Sequence, residues 1–231
     1  MRACFGLLAL AASALFFGLG AETPQPVDQM PMYGGLDRST VPELKRGDDE
    51  LIAGVTKQFG SRQKASQLFV DEGVRFYLRD DLVRAMKRFN QAWLLNPSNP
   101  EAFWGFAMVF HDKRQYCEAM SMIERAEALG LSKPIALADA GRITTLCAAH
   151  DEGISVPKRD ELYAKSMSLY QQAHAASPSD DYVLTSWATA YYWQGNYVEA
   201  WKKVHEARAV GGTFSARFMD MLRAKMPEIS E

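Results

Sequence analysis

The stretch LTSWATAYYWQGNYVEAWKKVHEA, running from Leu184 to Ala207, holds the fold in miniature. Small residues at Ala188, Ala200 and Ala207 are set among large ones at Leu184, Trp187, Tyr191 and Val204, and Gly195-Asn196-Tyr197 interrupts the run. That pattern describes a pair of helices joined by a tight turn. It also recurs upstream. One set of small residues stands at Gly73, Ala107, Gly141 and Ala188, a second at Ala85, Ala119, Ser166 and Ala200, and a third at Ala92, Ala126, Ala173 and Ala207. Phe89, Ile123, Tyr170 and Val204 fill one slot between the second and third sets. Each step is 34 residues, save one of 47 in every set. A period of this length marks a stacked helical array, because no single unit can bury its apolar face alone.

Close helix packing explains the residue types. The small residue of each first helix admits the second helix at short distance, and the alanines of the second helix receive the next repeat. The first copy is the fullest, with Phe69, Gly73, Phe76, Ala85, Phe89, Ala92 and Pro97. Over about residues 66–212 the chain closely resembles the tetratricopeptide repeat (TPR) family, whose consensus has these residue types at these spacings. The resemblance implies an all-α, right-handed α-solenoid of about four helix pairs, near 66–99, 100–133, 134–180 and 181–214. These repeats lie in a helical domain spanning 48–231. A flanking helix is expected from Asp48, with Asp48 or Asp49 as cap and Leu51, Ile52, Val55 and Phe59 on one face. At the other end a capping helix over 214–226, opened by Thr213 and bearing Phe214, Phe218, Met221 and Leu222, seals the fourth repeat.

Residues 1–21 read as a signal peptide. Arg2 precedes a sixteen-residue apolar run, Phe5–Gly20, and small residues close it at Gly18, Gly20 and Ala21. Cleavage is expected after Gly20 or Ala21, which places the mature chain in the periplasm or outside the cell. The alternative is an uncleaved segment that anchors the chain in a membrane. Glu22, where lipidation would need a cysteine, argues against a lipoprotein. Residues 22–47 hold four prolines and Gly34-Gly35, and read as a flexible linker in which Met30-Pro31-Met32-Tyr33 is the one segment suited to docking.

A net charge of −2 supplies no electrostatic footprint for nucleic acid. The four histidines, His111, His150, His174 and His205, share no metal-ligand spacing with one another or with a cysteine. Neither a phosphate loop nor a nucleophile elbow is present, so no cofactor, metal or catalytic residue is expected. Surface remains. In TPR arrays the first helices line a concave groove, and that rule projects Tyr77, Trp104, Met108, His111, Arg142, Tyr192 and Trp193 into it. Aromatic, Met and Arg side chains dominate binding hot spots. Val70 and Val74 stand where chaperone-binding TPR domains carry the Lys and Asn of a carboxylate clamp, so that use is not expected. The reading is an exported adaptor that binds a protein or peptide, with an envelope saccharide or peptidoglycan as the alternative ligand.

Two features stay open on sequence alone. The third repeat carries thirteen extra residues, which are expected to lengthen both its helices, to about Ala149 and from Pro157. The loop between them, near His150-Asp151-Glu152-Gly153, is either a tolerated loop or a docking lobe. Cys117 and Cys147 are expected near the start of one helix and the end of the next, antiparallel, helix. They either form a bridge or lie as two separately buried thiols.

Overall fold

The computed structural model describes residues 25–229, so the signal-peptide reading, with Cys4, lies outside the described residues. Among those residues three short 3-10 helices precede ten α-helices, and no strand occurs. The four pairs are α2 (Arg62–Tyr77) with α3 (Leu82–Leu95), α4 (Pro100–Asp112) with α5 (Tyr116–Ala128), α6 (Pro134–His150) with α7 (Val156–Ala176), and α8 (Asp181–Trp193) with α9 (Tyr197–Ala209). They are flanked by α1 (Pro42–Phe59) and α10 (Ala216–Lys225). Each pair packs on the next, which makes an all-α solenoid. Successive first helices touch one another, α2 on α4, α4 on α6 and α6 on α8, while successive second helices make no comparable contact. The first helices therefore form the inner row. None of the described helices is long and apolar enough to cross a membrane.

The repeat is visible in backbone detail. Asp80, Arg114 and Gly195 occupy the same place in three of the turns between paired helices, and all three have positive φ, at 59°, 61° and 77°. Only glycine adopts that conformation without steric cost. Immediately after, Asp81 and Asn196 cap α3 and α9 through their side chains, whereas Gln115 leaves α5 uncapped. Asn99 and Asp180 cap α4 and α8 in the same equivalent way.

Packing follows a size rule across each pair. Where the slot on the second helix is aromatic, the facing residue is glycine: Phe89 lies against Gly73, and Tyr170 against Gly141. A Cβ added at Gly73 would stand 2.5 Å from the Phe89 ring, and one at Gly141 would stand 2.8 Å from the Tyr170 ring. Where the slot is aliphatic, Ile123 or Val204, the partner is Ala107 or Ala188, and all four are fully buried.

The insertion lengthens both helices of the third pair, as expected, to 17 residues in α6 and 21 in α7. The fourth repeat then packs chiefly through α8 on α6, with little contact between α8 and α7, unlike the earlier junctions. The end helix α10 is capped by Ser215, whose side chain accepts from the Phe218 amide, and not by Thr213.

The expected linker is built structure over its described part. Tyr33 is buried, its amide donates to Asn90 Oδ1, and Asn90 Nδ2 donates to the carbonyls of Asp28 and Met30. Asn90, fully buried on α3, thus pins the strap across the second helices. The following helix begins at Pro42, six residues before Asp48, because proline suits the first turn. Asp48 is used instead in an ion pair with Arg38, Nη2 to Oδ1 at 2.5 Å.

Candidate functional site

The inner row carries a connected polar cluster centred on Asp139 of α6. Its Oδ2 accepts from Trp104 Nε1 of α4 at 2.9 Å. Its Oδ1 accepts from Arg142 Nη2 at 2.7 Å and from the hydroxyl of Tyr182 on α8. One carboxylate, 3% exposed, therefore ties three first helices together. A buried charge persists only when paired and hydrogen-bonded in this way. Arg142 Nε is buried with no hydrogen-bond partner among the described residues. Burial works against the Arg142 charge, but Asp139 and the surrounding tyrosines hold its pKa above the usual value.

Alongside, Tyr77 of α2 stands near Asp112, whose carboxylate accepts from His111 Nδ1 at 2.8 Å. Burial, reinforced by Asp112, raises the Tyr77 pKa; burial, reinforced by Asp139, raises that of Tyr182. For His111, burial and the nearby Arg142 charge push the pKa below its usual value, so the ring is neutral at pH 7. Burial thus favours the protonated tyrosine hydroxyls and the uncharged imidazole, which suits a fixed recognition surface. No three His, Cys, Asp or Glu side chains among the described residues converge in a way that could hold a metal ion.

Two of the projected groove residues are core. Trp104 is 7% exposed and Met108 is 5% exposed, so the expectation that they offer apolar surface in the groove fails. The reason lies across the repeat boundary: Asp139 supplies the acceptor that lets the indole N–H be buried, and the ring then packs in the main core. Tyr77, His111 and Arg142 do reach the inner row, half-buried in the polar cluster.

Tyr192 and Trp193 belong to a different feature, an aromatic series along the edge where the first helices end. His111 meets Tyr116 with ring centroids 5.8 Å apart, Tyr116 meets His150 at 5.1 Å, and His150 meets Trp193 at 4.7 Å. Tyr192 continues it to Trp193 at 5.4 Å and to Phe218 of α10 at 5.8 Å. Trp193 is 36% exposed and His150 is exposed as well. Cys117 and Cys147 are bonded beside this edge, with Cα atoms 4.8 Å apart, joining the start of α5 to the end of α6. The bridge lines an open cleft with Tyr116, His150 and Asp151. A second cleft of about 260 Å³ lies between α8 and α10, where Arg142 and Tyr182 meet Thr185, Thr189 and Phe214.

Sequence reasoning missed Asp139, Tyr182 and Tyr116, and placed His150 only in the insertion that was either a loop or a docking lobe. Asp139 and Arg142 had left a signal, an acid and a base three residues apart in the helix with the most buried residues. Compared with known proteins, the chain matches no family model and is significantly similar to no curated protein.

Proposed function

We propose that this chain is an exported TPR-type adaptor that binds a protein or peptide segment along its inner row and aromatic edge, in the bacterial cell envelope. The observation that carries the reading is the His111–Tyr116–His150–Trp193–Tyr192 series, which crosses three repeats beside a rigid polar cluster. Amphipathic rings in a row provide contact area at low entropic cost, and they include an exposed tryptophan, Trp193. The 34-residue period and its three equivalent left-handed turns favour a TPR scaffold. A disulfide favours an oxidising compartment, which agrees with the signal-like segment at residues 1–21. The role is binding, with no catalysis assigned.

The same rings favour one second reading, since aromatic faces also stack on sugars: an accessory factor that holds a saccharide or peptidoglycan. A photo-crosslinker at Thr189, on the inner row, tests the choice in intact cells against a control at Lys87 on an outer helix. The adaptor reading expects one protein captured from Thr189 alone and lost on Trp193→Ala. Binding to purified cell-wall polymer that Trp193→Ala abolishes, with no protein captured, refutes it.

A further inference from the structure

We propose that the outer face carries a separate site for a small amphipathic carboxylate, in a cleft built by the N-terminal strap. The cleft measures about 630 Å³, within the range of about 300–1,000 Å³ typical of small-molecule sites. Met32 and Leu36 of the strap, Ile52 of α1, and Trp93 and Leu94 of α3 supply apolar walls, and Arg125 of α5 stands at the rim. It lies on second helices, apart from the inner row.

The lining holds three acids and three bases, so the question is which cation is free to hold an acid. Arg38 and Lys45 also line the cleft, but each is held by its own acid, Arg38 by Asp48 and Lys45 by Asp49. Asp37 accepts from the amide and hydroxyl of Ser39 and keeps its charge. Of the three cations in the lining, that leaves Arg125. Its Nη1 donates to the thioether of Met32 at 2.9 Å, and its guanidinium lies 5.9 Å from the centroid of the Phe103 ring. A thioether is a weak acceptor, and among the described residues no carboxylate pairs with this arginine. The side chain is thus oriented by two soft contacts while its charge is left for an external anion.

The backbone of the strap points the same way. Met32, Tyr33, Gly34 and Gly35 are four consecutive residues at positive φ, from 52° to 76°, and the first two carry side chains that disfavour it. Left-handed backbone is sterically unfavourable for every residue except glycine. The buried Tyr33 ring, the Arg38 guanidinium 4.1 Å over it and the Asn90 hydrogen bonds hold the strap in this shape. Strain of this kind concentrates at ligand clamps. Here it sets Met32 and Gly35 into the cleft wall. An apolar chain would lie against Trp93, Ile52 and Leu36, with its carboxylate on Arg125.

Titration calorimetry with dodecanoate, paired with tryptophan fluorescence, tests the site. Saturable one-to-one binding is expected, with a fluorescence change that Trp93→Phe removes. Losing a charge-assisted contact should weaken affinity about tenfold or more in Arg125→Gln, with partial retention in Arg125→Lys. Leu36→Glu, at a residue 40% exposed and therefore safe for folding, should weaken it similarly. Dodecyltrimethylammonium should bind far more weakly than dodecanoate. Absence of saturable binding, indifference to Arg125→Gln and Leu36→Glu, or equal binding of the cationic amphiphile would each overturn the proposal.

Discussion

Replacing Gly73 by alanine tests the packing rule that builds the array. In an open helix this change stabilises by up to about 1 kcal/mol, because glycine is the poorer helix former. At Gly73 the new Cβ would lie 2.5, 2.7 and 3.0 Å from three atoms of the Phe89 ring. The ring cannot retreat, because Gly105 of the next repeat faces it even more closely on the other side, and Phe106 packs edge-on at 6.4 Å. Overpacking a confined site costs about 1–3 kcal/mol, and the double confinement here puts it near the top of that range. After subtracting the propensity gain, the net loss is about 2 kcal/mol, or about 4–8 °C in Tm for a domain of this size. Urea and thermal unfolding followed by circular dichroism read both quantities. Phe89→Ile recreates the alanine–aliphatic pairing of Ala107 with Ile123, so Gly73→Ala should cost less in that background. A coupling of about 1–2 kcal/mol is expected from the double-mutant cycle. Gly54→Ala on α1, where no atom lies within 4 Å of the new Cβ, is the control and should stabilise. Equal gains at Gly54 and Gly73, or additive effects of Gly73→Ala and Phe89→Ile, would refute the reasoning.

Further outcomes follow from other sites. Reducing the Cys117–Cys147 bond, or Cys117→Ser with Cys147→Ala, should lower stability by about 3–4 kcal/mol from lost loop closure over its 30-residue separation, read by urea unfolding with and without reductant. Arg114→Gly should raise Tm, because Arg114 holds a left-handed turn at about 1–2 kcal/mol that Gly195 adopts freely in the fourth repeat. Asp139→Ala should cost about 3–5 kcal/mol in chemical unfolding by leaving Arg142 without its buried counter-charge, and adding Arg142→Met should recover much of it. His111 should make stability fall as the solution is acidified below its ordinary pKa of 6.5: the unfolded chain binds the proton first, so the contribution is complete above that pH and declines toward the lower folded value. His111→Gln should flatten that part of a stability-against-pH series.

Sequence made legible what repeats and hid what crosses between repeats. The 34-residue register located all four helix pairs, since their small and large slots are set by packing within the pair, Gly73 with Phe89 or Ala107 with Ile123. The thirteen-residue insertion was read correctly as longer helices because Pro157 marks the start of one. Trp104 was misplaced for a physical reason. Its slot in other copies holds Val70, Ala138 and Thr185, and only the carboxylate 35 residues on makes burial of an indole tolerable. The strap was hidden by composition. Prolines and paired glycines usually mark a tether, but here Gly34 and Gly35 serve a left-handed run that one buried side chain, Asn90, holds in place.

The polar cluster bears on how the scaffold can act. A buried ion pair adds little net stability, because desolvation offsets most of the attraction. What it supplies is geometry. Asp139 of α6 accepts from Trp104 on α4 and from Tyr182 on α8, and both donors would lose their partner if the helices slid apart. The cost of an orphaned buried donor is about 1–3 kcal/mol, so relative motion of these three first helices is opposed by two such terms together. At the edge the disulfide adds a covalent tie between α5 and α6. Together they fix the spacing of Tyr116, His150 and Trp193, which stand on α5, α6 and α8. On the proposed adaptor reading, a partner at that row would meet a preformed surface and lose little free energy to ordering it. Binding by the aromatic edge should then be insensitive to small changes in solenoid curvature at the first repeat, and sensitive to any change that releases Asp139.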